Sequence, residues 1–351
     1  MSAYHHVRLQ LLLDYWRLHR ALPPSILPSG TYDRLTDVPG VRVGHYTLAD
    51  GDCQSGVTAI IPADGNLFTE PLPCGVAVLN GFGKSTGLIQ ISELGTLETP
   101  LLLTNTLSVG TCYTALVRYA VAENPDIGRE TSTVNPVVLE CNDGYLNDIQ
   151  RLAVSEAMAA EALAAAHSDF VRGAVGAGRG MSCFGLKGGI GTASRRIGAH
   201  MLGLLVLANF GRLPDIRLDG IPCGDVLQQA LDAAPAPAER GSIIIVMVTD
   251  APLDARQLTR LAKRAGAGLG RIGSHWGHGS GDIVLACSTD RSGGRLDPEN
   301  ALDDFFRAAA DGTEYAVRDA LLSAESVRGF RGHRRTALAA LLDQLAAEAA
   351  E

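Results

Sequence analysis

The sequence predicts an α+β chain in which two sheets are covered by helices. Short apolar runs bounded by Gly, Pro and Asp recur between residues 41 and 288, with the length of buried strands. Segments with helical spacing are about as frequent. The two kinds do not follow the strict alternation of a doubly wound parallel sheet, and no repeat of 20–50 residues is present.

In chain order, residues 6–22 have the pattern of an amphipathic helix, with Val7, Leu11, Tyr15 and Leu18 roughly on one face. Such a helix either packs on its own domain or forms an arm in a subunit contact. Pro23–Gly30 is a linker rich in Pro, Ser and Gly. Residues 1–30 thus form a helix and linker ahead of a single domain over 31–351. Val41–Tyr46, Val57–Ile61, Val76–Leu79 and Leu101–Thr104 are expected strands. Val109–Glu123 has helical length and spacing, and Asn124-Pro125 stops it. Val137–Glu140 is a strand that ends in the polar turn Asn142–Tyr145. Ile149–His167 is Ala-rich and expected to be helical; Val171–Gly191 is dense in glycine. Met201–Ala208 has the character of a buried strand. Pro214–Arg240 holds a short helix and then the loose stretch Ala233–Arg240. Ser242–Thr249 is strongly β-prone, Asp254–Gly266 helical, and Asp282–Ser288 again a strand. Ala301–Ala324 and Arg335–Ala350 are helices.

Composition narrows the function. The 351 residues are 46% hydrophobic and 19% charged, which supplies a sizeable core and excludes wholesale disorder. A formal net charge of −8 argues against a general nucleic-acid binder. No apolar run approaches the roughly 20 residues that a membrane span needs. Seven cysteines lie scattered without CxxC pairs, the pattern of buried thiols in a reducing compartment. The apolar stretch Leu9–Leu13 is too short for a secretory signal and is followed by Asp14, Arg17 and Arg20, so the cytoplasm is the expected location.

Several familiar motifs fail on inspection. Gly268–Gly273 fits GxGxxG but follows a helix, where its amides would not open onto a pyrophosphate. Gly83-Lys84-Ser85 resembles the end of a P-loop, but position 78 is Val where that loop needs Gly. Gly173–Gly180 lacks the register and an acidic ribose partner. His275 and His278 are spaced as a loop pair with no obvious third ligand, so a pocket wall is the simpler reading. No cofactor or metal is expected.

The chemistry concentrates at Gly241-Ser242, where a small residue precedes a serine that opens a buried strand. If that peptide is cut, Ser242 becomes a chain end held by the sheet, with its hydroxyl and α-amine together. An α-amine has a reference pKa of about 7.7–8.0, near what a general base needs. A nucleophile activated by an N-terminal amine is an established scheme. Gly241 is expected to take strained angles that expose its carbonyl to Ser242 Oγ. An N→O acyl shift followed by hydrolysis would then free Ser242.

The chain resembles the self-processing N-terminal-serine hydrolases known as L-aminopeptidase/D-esterases and β-peptidyl aminopeptidases. The resemblance runs through Leu35–His45, Thr104–Gly110, Glu140–Asp148, Lys187–Ser194, Leu207–Gly211, Gly241-Ser242 and Gly279–Asp282, and covers roughly residues 35–335. It implies a four-layer α/β/β/α sandwich, similar to N-terminal nucleophile hydrolases but differently connected. It also implies autocleavage into an α chain 1–241 and a β chain 242–351, and a homo-oligomer, a tetramer of αβ heterodimers. By the same resemblance Ser242 is the nucleophile, and Ser280 and Asp282 form a Ser-x-acid pair. Asn209 helps to hold the oxyanion, and Glu140 is an acid near the substrate's amino group. Members often carry Glu at the position of Asp282, and some carry an aromatic residue at that of Asn142. The implied substrates are short peptides or aminoacyl amides and esters, without nucleic acid or membrane partners. An acyltransferase related to ornithine acetyltransferases is the alternative, although those use Thr as nucleophile; an uncleaved, non-catalytic relative is another.

Overall fold

A computed structural model describes residues 3–18, 25, 27–231 and 241–350. Its first sheet contains β1 (Arg42–Asp50), β2 (Cys53–Ile61), β5 (Leu101–Asn105) and β6 (Val137–Cys141), in the order β1-β2-β5-β6. The second has the order β4-β3-β10-β9-β8-β7. Here β3 is Leu72–Gly81, β4 Thr96–Leu97, β7 Gly189–Ile197, β8 His200–Asn209, β9 Ser242–Thr249 and β10 Gly281–Ser288. The pairs β5/β6 and β9/β10 are parallel, and the other pairs in these sheets are antiparallel.

Side-chain alternation explains the layering. Along β9, Ile244, Val246 and Val248 enter the core between the sheets, where they meet Leu101, Leu103, Val137 and Leu139. Ile243, Ile245 and Met247 point the other way, into a core shared with the helices α6 (Ala255–Ala262), α7 (Ala265–Ile272) and α8 (Leu302–Ser323). Beyond the first sheet, Val57, Ala59, Leu102 and Val138 pack against α3 (Val109–Glu123) and α4 (Glu156–Ala164). The layers therefore run helix, sheet, sheet, helix. The short helix α2 (Leu88–Leu94) follows β3, α5 (Gly224–Ala230) follows β8, and α9 (Leu338–Glu348) closes the described chain.

Some expectations shift. The first helix, α1, spans Ala3–Leu18; residues 19–22, like residues 23, 24 and 26 of the linker, lie outside the described residues. It packs on its own chain, where Trp16 Nε1 donates to Asp343 Oδ1 at 2.8 Å. Its buried face is Leu12, Leu13, Tyr15 and Trp16, whereas Val7 is 57% and Leu11 48% exposed. Ile149–His167 shortens to α4, because Ser155 caps Met158 N–H and starts the helix late. The glycine-dense stretch hides β7, where Gly191 lets α8 approach: a Cβ there would lie 2.0 Å from Ala316 O. Gly268 and Gly270 fall inside α7 and Gly273 caps it, so this GxGxxG is helix and not loop. The stretch 233–240 lies outside the described residues. All seven cysteines are buried and free, and among the described residues no helix is long and apolar enough to cross a membrane.

Candidate active site

Strand ends build the site. Asn209, the last residue of β8, stands opposite Ser242, the first of β9, and Ser242 is in parallel register with Gly281 at the start of β10. Residues paired across adjacent strands share a face, so Asn209 and Ser242 are side-chain neighbours. Gly281 N–H donates to the Gly241 carbonyl at 3.3 Å. Gly241 is not among the positive-φ residues. Its necessity is space: a Cβ would lie 2.3 Å from Asn209 O and 2.5 Å from Phe210 Cα.

Ser242 and Gly241 line an open cleft of about 620 Å³, together with Glu140 and Asn142. Glu140 lies near the end of β6 and is only 2% exposed. Its Oε1 accepts Lys84 N–H at 2.8 Å and its Oε2 accepts the Thr106 hydroxyl. Those two donors fix the carboxylate and leave lone pairs for a cationic group in the cleft. Asn142 is the residue that begins the turn after β6, and its carbonyl accepts Asn209 Nδ2 at 2.9 Å. Asn209 Oδ1 accepts Ser182 N–H at 2.8 Å, so its amide is held from both ends.

Ser280 and Asp282 are brought together: the Ser280 hydroxyl donates to Asp282 Oδ1 at 2.8 Å, and both residues are fully buried. They flank Gly281 in the chain but are not among the cleft-lining residues. By alternation Asp282 shares a face with Val284 and Ala286, toward the helices, while Gly281 shares the face of Ser242. His275 and His278 line the cleft as a wall. Asn80 Nδ2 pins their loop by donating to Gly277 O at 3.0 Å and to Ser280 O. Among the described residues no cluster of His, Cys, Asp and Glu could hold a metal ion.

Behind the cleft lies a buried polar network that sequence reasoning missed. Asp143 Oδ2 accepts the Ser55 hydroxyl at 2.6 Å and its Oδ1 accepts Asn147 Nδ2 at 3.0 Å. Ser55 in turn accepts Asn105 Nδ2 at 2.9 Å, and Asn105 caps the turn that carries Thr106. Burial pushes the Asp143 carboxyl up to about 7, against the opposing pull of these hydrogen bonds. Phe82, Lys84, Thr106 and Arg212 also line the cleft without having been expected there. Thr106 lay within a recognised motif, whereas Phe82 and Arg212 carried no signal of their own.

Comparison with known proteins places the chain in a family. Residues 33–335 match peptidase family S58. The chain is 37% identical over 341 residues to the beta-peptidyl aminopeptidase BapA of Sphingosinicella microcystinivorans, covering 87% of this chain and 85% of that protein. Among solved structures, the PH0078 protein of Pyrococcus horikoshii OT3 is 42% identical with a TM-score of 0.85, over 94% of this chain and 97% of that one. The L-aminopeptidase D-Ala-esterase/amidase of Ochrobactrum anthropi, described as a prototype serine aminopeptidase and a variant of the Ntn hydrolase fold, is 33% identical. Its TM-score is 0.80, over 93% of this chain and 97% of that one. The four-layer sandwich is thus shared, and the chain belongs to peptidase family S58.

Proposed function

We propose that the protein is a self-processing serine aminopeptidase that releases the N-terminal residue of short peptides, amides or esters through an acyl-enzyme on Ser242. The observation that carries this is the position of Ser242: first residue of a buried central strand, directly after Gly241, in one cleft with Glu140. In processing, Ser242 Oγ attacks the Gly241 carbonyl carbon, whose oxygen already accepts Gly281 N–H. The C–N bond breaks as the nitrogen takes a proton, and an ester forms. Water then hydrolyses that ester to a Gly241 carboxylate and a Ser242 with free hydroxyl and amine.

In turnover, Ser242 Oγ attacks the substrate carbonyl and its α-amine takes the proton, with Ser280 backed by Asp282 as the second candidate carrier. Asn209 and backbone N–H groups hold the oxyanion. The proton passes to the leaving amine, and water releases the acyl group. Glu140 takes the substrate's ammonium, which explains selection of a free N-terminus. The cytoplasm is the proposed compartment, and a tetramer of αβ heterodimers the proposed assembly.

Intact mass and N-terminal sequencing of active protein test the scheme. Two fragments are expected, the second beginning Ser-Ile-Ile-Ile. Active protein that remains one 36.9 kDa chain would overturn self-processing. Glu140→Gln keeps the shape of the side chain but loses the charge. It is expected to raise KM for aminoacyl amides by about 10- to 100-fold, as befits a lost charge-assisted bond. An unchanged KM would remove Glu140 from ammonium binding.

A further inference from the structure

The cleft is unusual in its charge. The protein carries a net charge of −8, yet among the described residues the charged groups lining the cleft are Lys84, Arg212 and a single acid, Glu140. Lys84 spends its backbone N–H on Glu140. Its ammonium has no hydrogen-bond or ion-pair partner among the described residues and rests 4.1 Å over the Phe82 ring. That aromatic face positions the cation without neutralising it. Arg212 follows Asn209 by three residues, and the carboxylate paired with it, Asp215, is 3.9 Å away. Arg212 Nε is buried without a hydrogen-bond partner. Lys84 is therefore held at the cleft with its ammonium donors free, and Arg212 lines the same cleft with its buried Nε turned toward Asp215.

We propose that Lys84 and Arg212 form a carboxylate subsite, so that the preferred substrates are dipeptides with both ends charged. The proposal deepens the aminopeptidase reading and rests on it. The ammonium goes to Glu140, and the free carboxylate goes to the two cations. An extended dipeptide separates its ends by about 7 Å, which a cleft of about 620 Å³ accommodates. A substrate that carries only an ammonium must share the cleft with the unneutralised Lys84 and with Arg212, whose partner Asp215 stands 3.9 Å off, and this disfavours it. Guanidinium and ammonium are the groups that bind carboxylates best. Arg212 lies in the same cleft as Gly241, so the carboxylate created there by scission is the rival occupant.

The test compares a dipeptide with its C-terminal amide, as kcat/KM on the processed enzyme. Wild type is expected to favour the free acid by about tenfold, mainly through KM, and to lose that preference as ionic strength rises. Lys84→Met is expected to cut the acid-to-amide ratio to below about twofold, and Lys84→Glu to invert it. Hydrolysis of both substrates by wild type without preference overturns the carboxylate subsite and leaves the aminopeptidase standing. So does a preference that neither salt nor Lys84→Met changes. A preference that responds to Lys84→Met but not to Arg212→Met overturns the two-cation site and gives Arg212 to the Gly241 carboxylate. Hydrolysis of neither substrate overturns both readings together. Should a variant fail to fold, the wild-type ratio and its salt dependence still decide.

Discussion

Replacing Ser242 with Ala is expected to yield one uncut chain of 36.9 kDa with activity lowered by at least about 10⁴-fold. Two functions end with one hydroxyl, because no acyl shift can open the Gly241–Ser242 peptide and no substrate ester can form. The fold should persist. Ser242 contributes no apolar packing at the end of β9, and the strand is held by its register with β8 and β10. Circular dichroism and thermal melting should therefore match the wild-type protein while mass spectrometry shows a single species. Gly241→Ala is the companion variant. Its methyl group would meet Asn209 O at 2.3 Å, so Gly241 must move and scission should slow severalfold or more. Two fragments from Ser242→Ala, or retained hydrolysis without scission, would sink the mechanism.

The second large effect is on stability. Lys187 is completely buried, and its ammonium donates to Gly178 O at 2.9 Å, Met181 O at 2.8 Å and Gly188 O at 2.8 Å. Burial pulls its pKa well down. Three acceptors nevertheless match the three donors that only the charged form offers. Lys187→Met fills the volume but leaves three carbonyls facing hydrocarbon. The expected cost is about 3–5 kcal/mol, because removing a buried charge from its partners orphans them. The same turn carries Ser182, whose N–H holds the Asn209 amide, so activity should fall along with stability. Calorimetry should show a melting temperature lower by about 5 °C or more. A shift within about 1 °C would show that the carbonyls find other donors.

How far the sequence foretold this molecule depends on which force shaped each element. Ser242–Thr249 is legible to the residue because a strand buried on both faces is a continuous β-branched run. Val109–Glu123 is equally clear, since Asn124-Pro125 ends it. By contrast, β7 has only Ile190 and Ile197 among Gly, Thr, Ala, Ser and Arg, and Arg195 is buried only because Asp33 and Asp311 pair with it. That pairing is tertiary and leaves no periodicity behind. The Ala-rich segment before residue 167 has no apolar periodicity to mark where its helix begins, and that start is set by the Ser155 cap. At the site, Glu140, Asn142, Gly241 and Ser242 were readable together as motifs, and the structure brings them into one cleft. Lys84 and Arg212 were not, because nothing in the local sequence marks which cations the fold brings to the cleft wall.

Strand order carries one more consequence. The pair β9 and β10 stands in the middle of its sheet, with β3 and β4 on one flank and β8 and β7 on the other. Scission before Ser242 would make the middle belong to one polypeptide and both flanks to another, threaded through each other like the fingers of clasped hands. Such a molecule is assembled once, as a single chain. After maturation its renaturation is a second-order encounter between two pieces, so thermal damage should be repaired poorly in dilute solution.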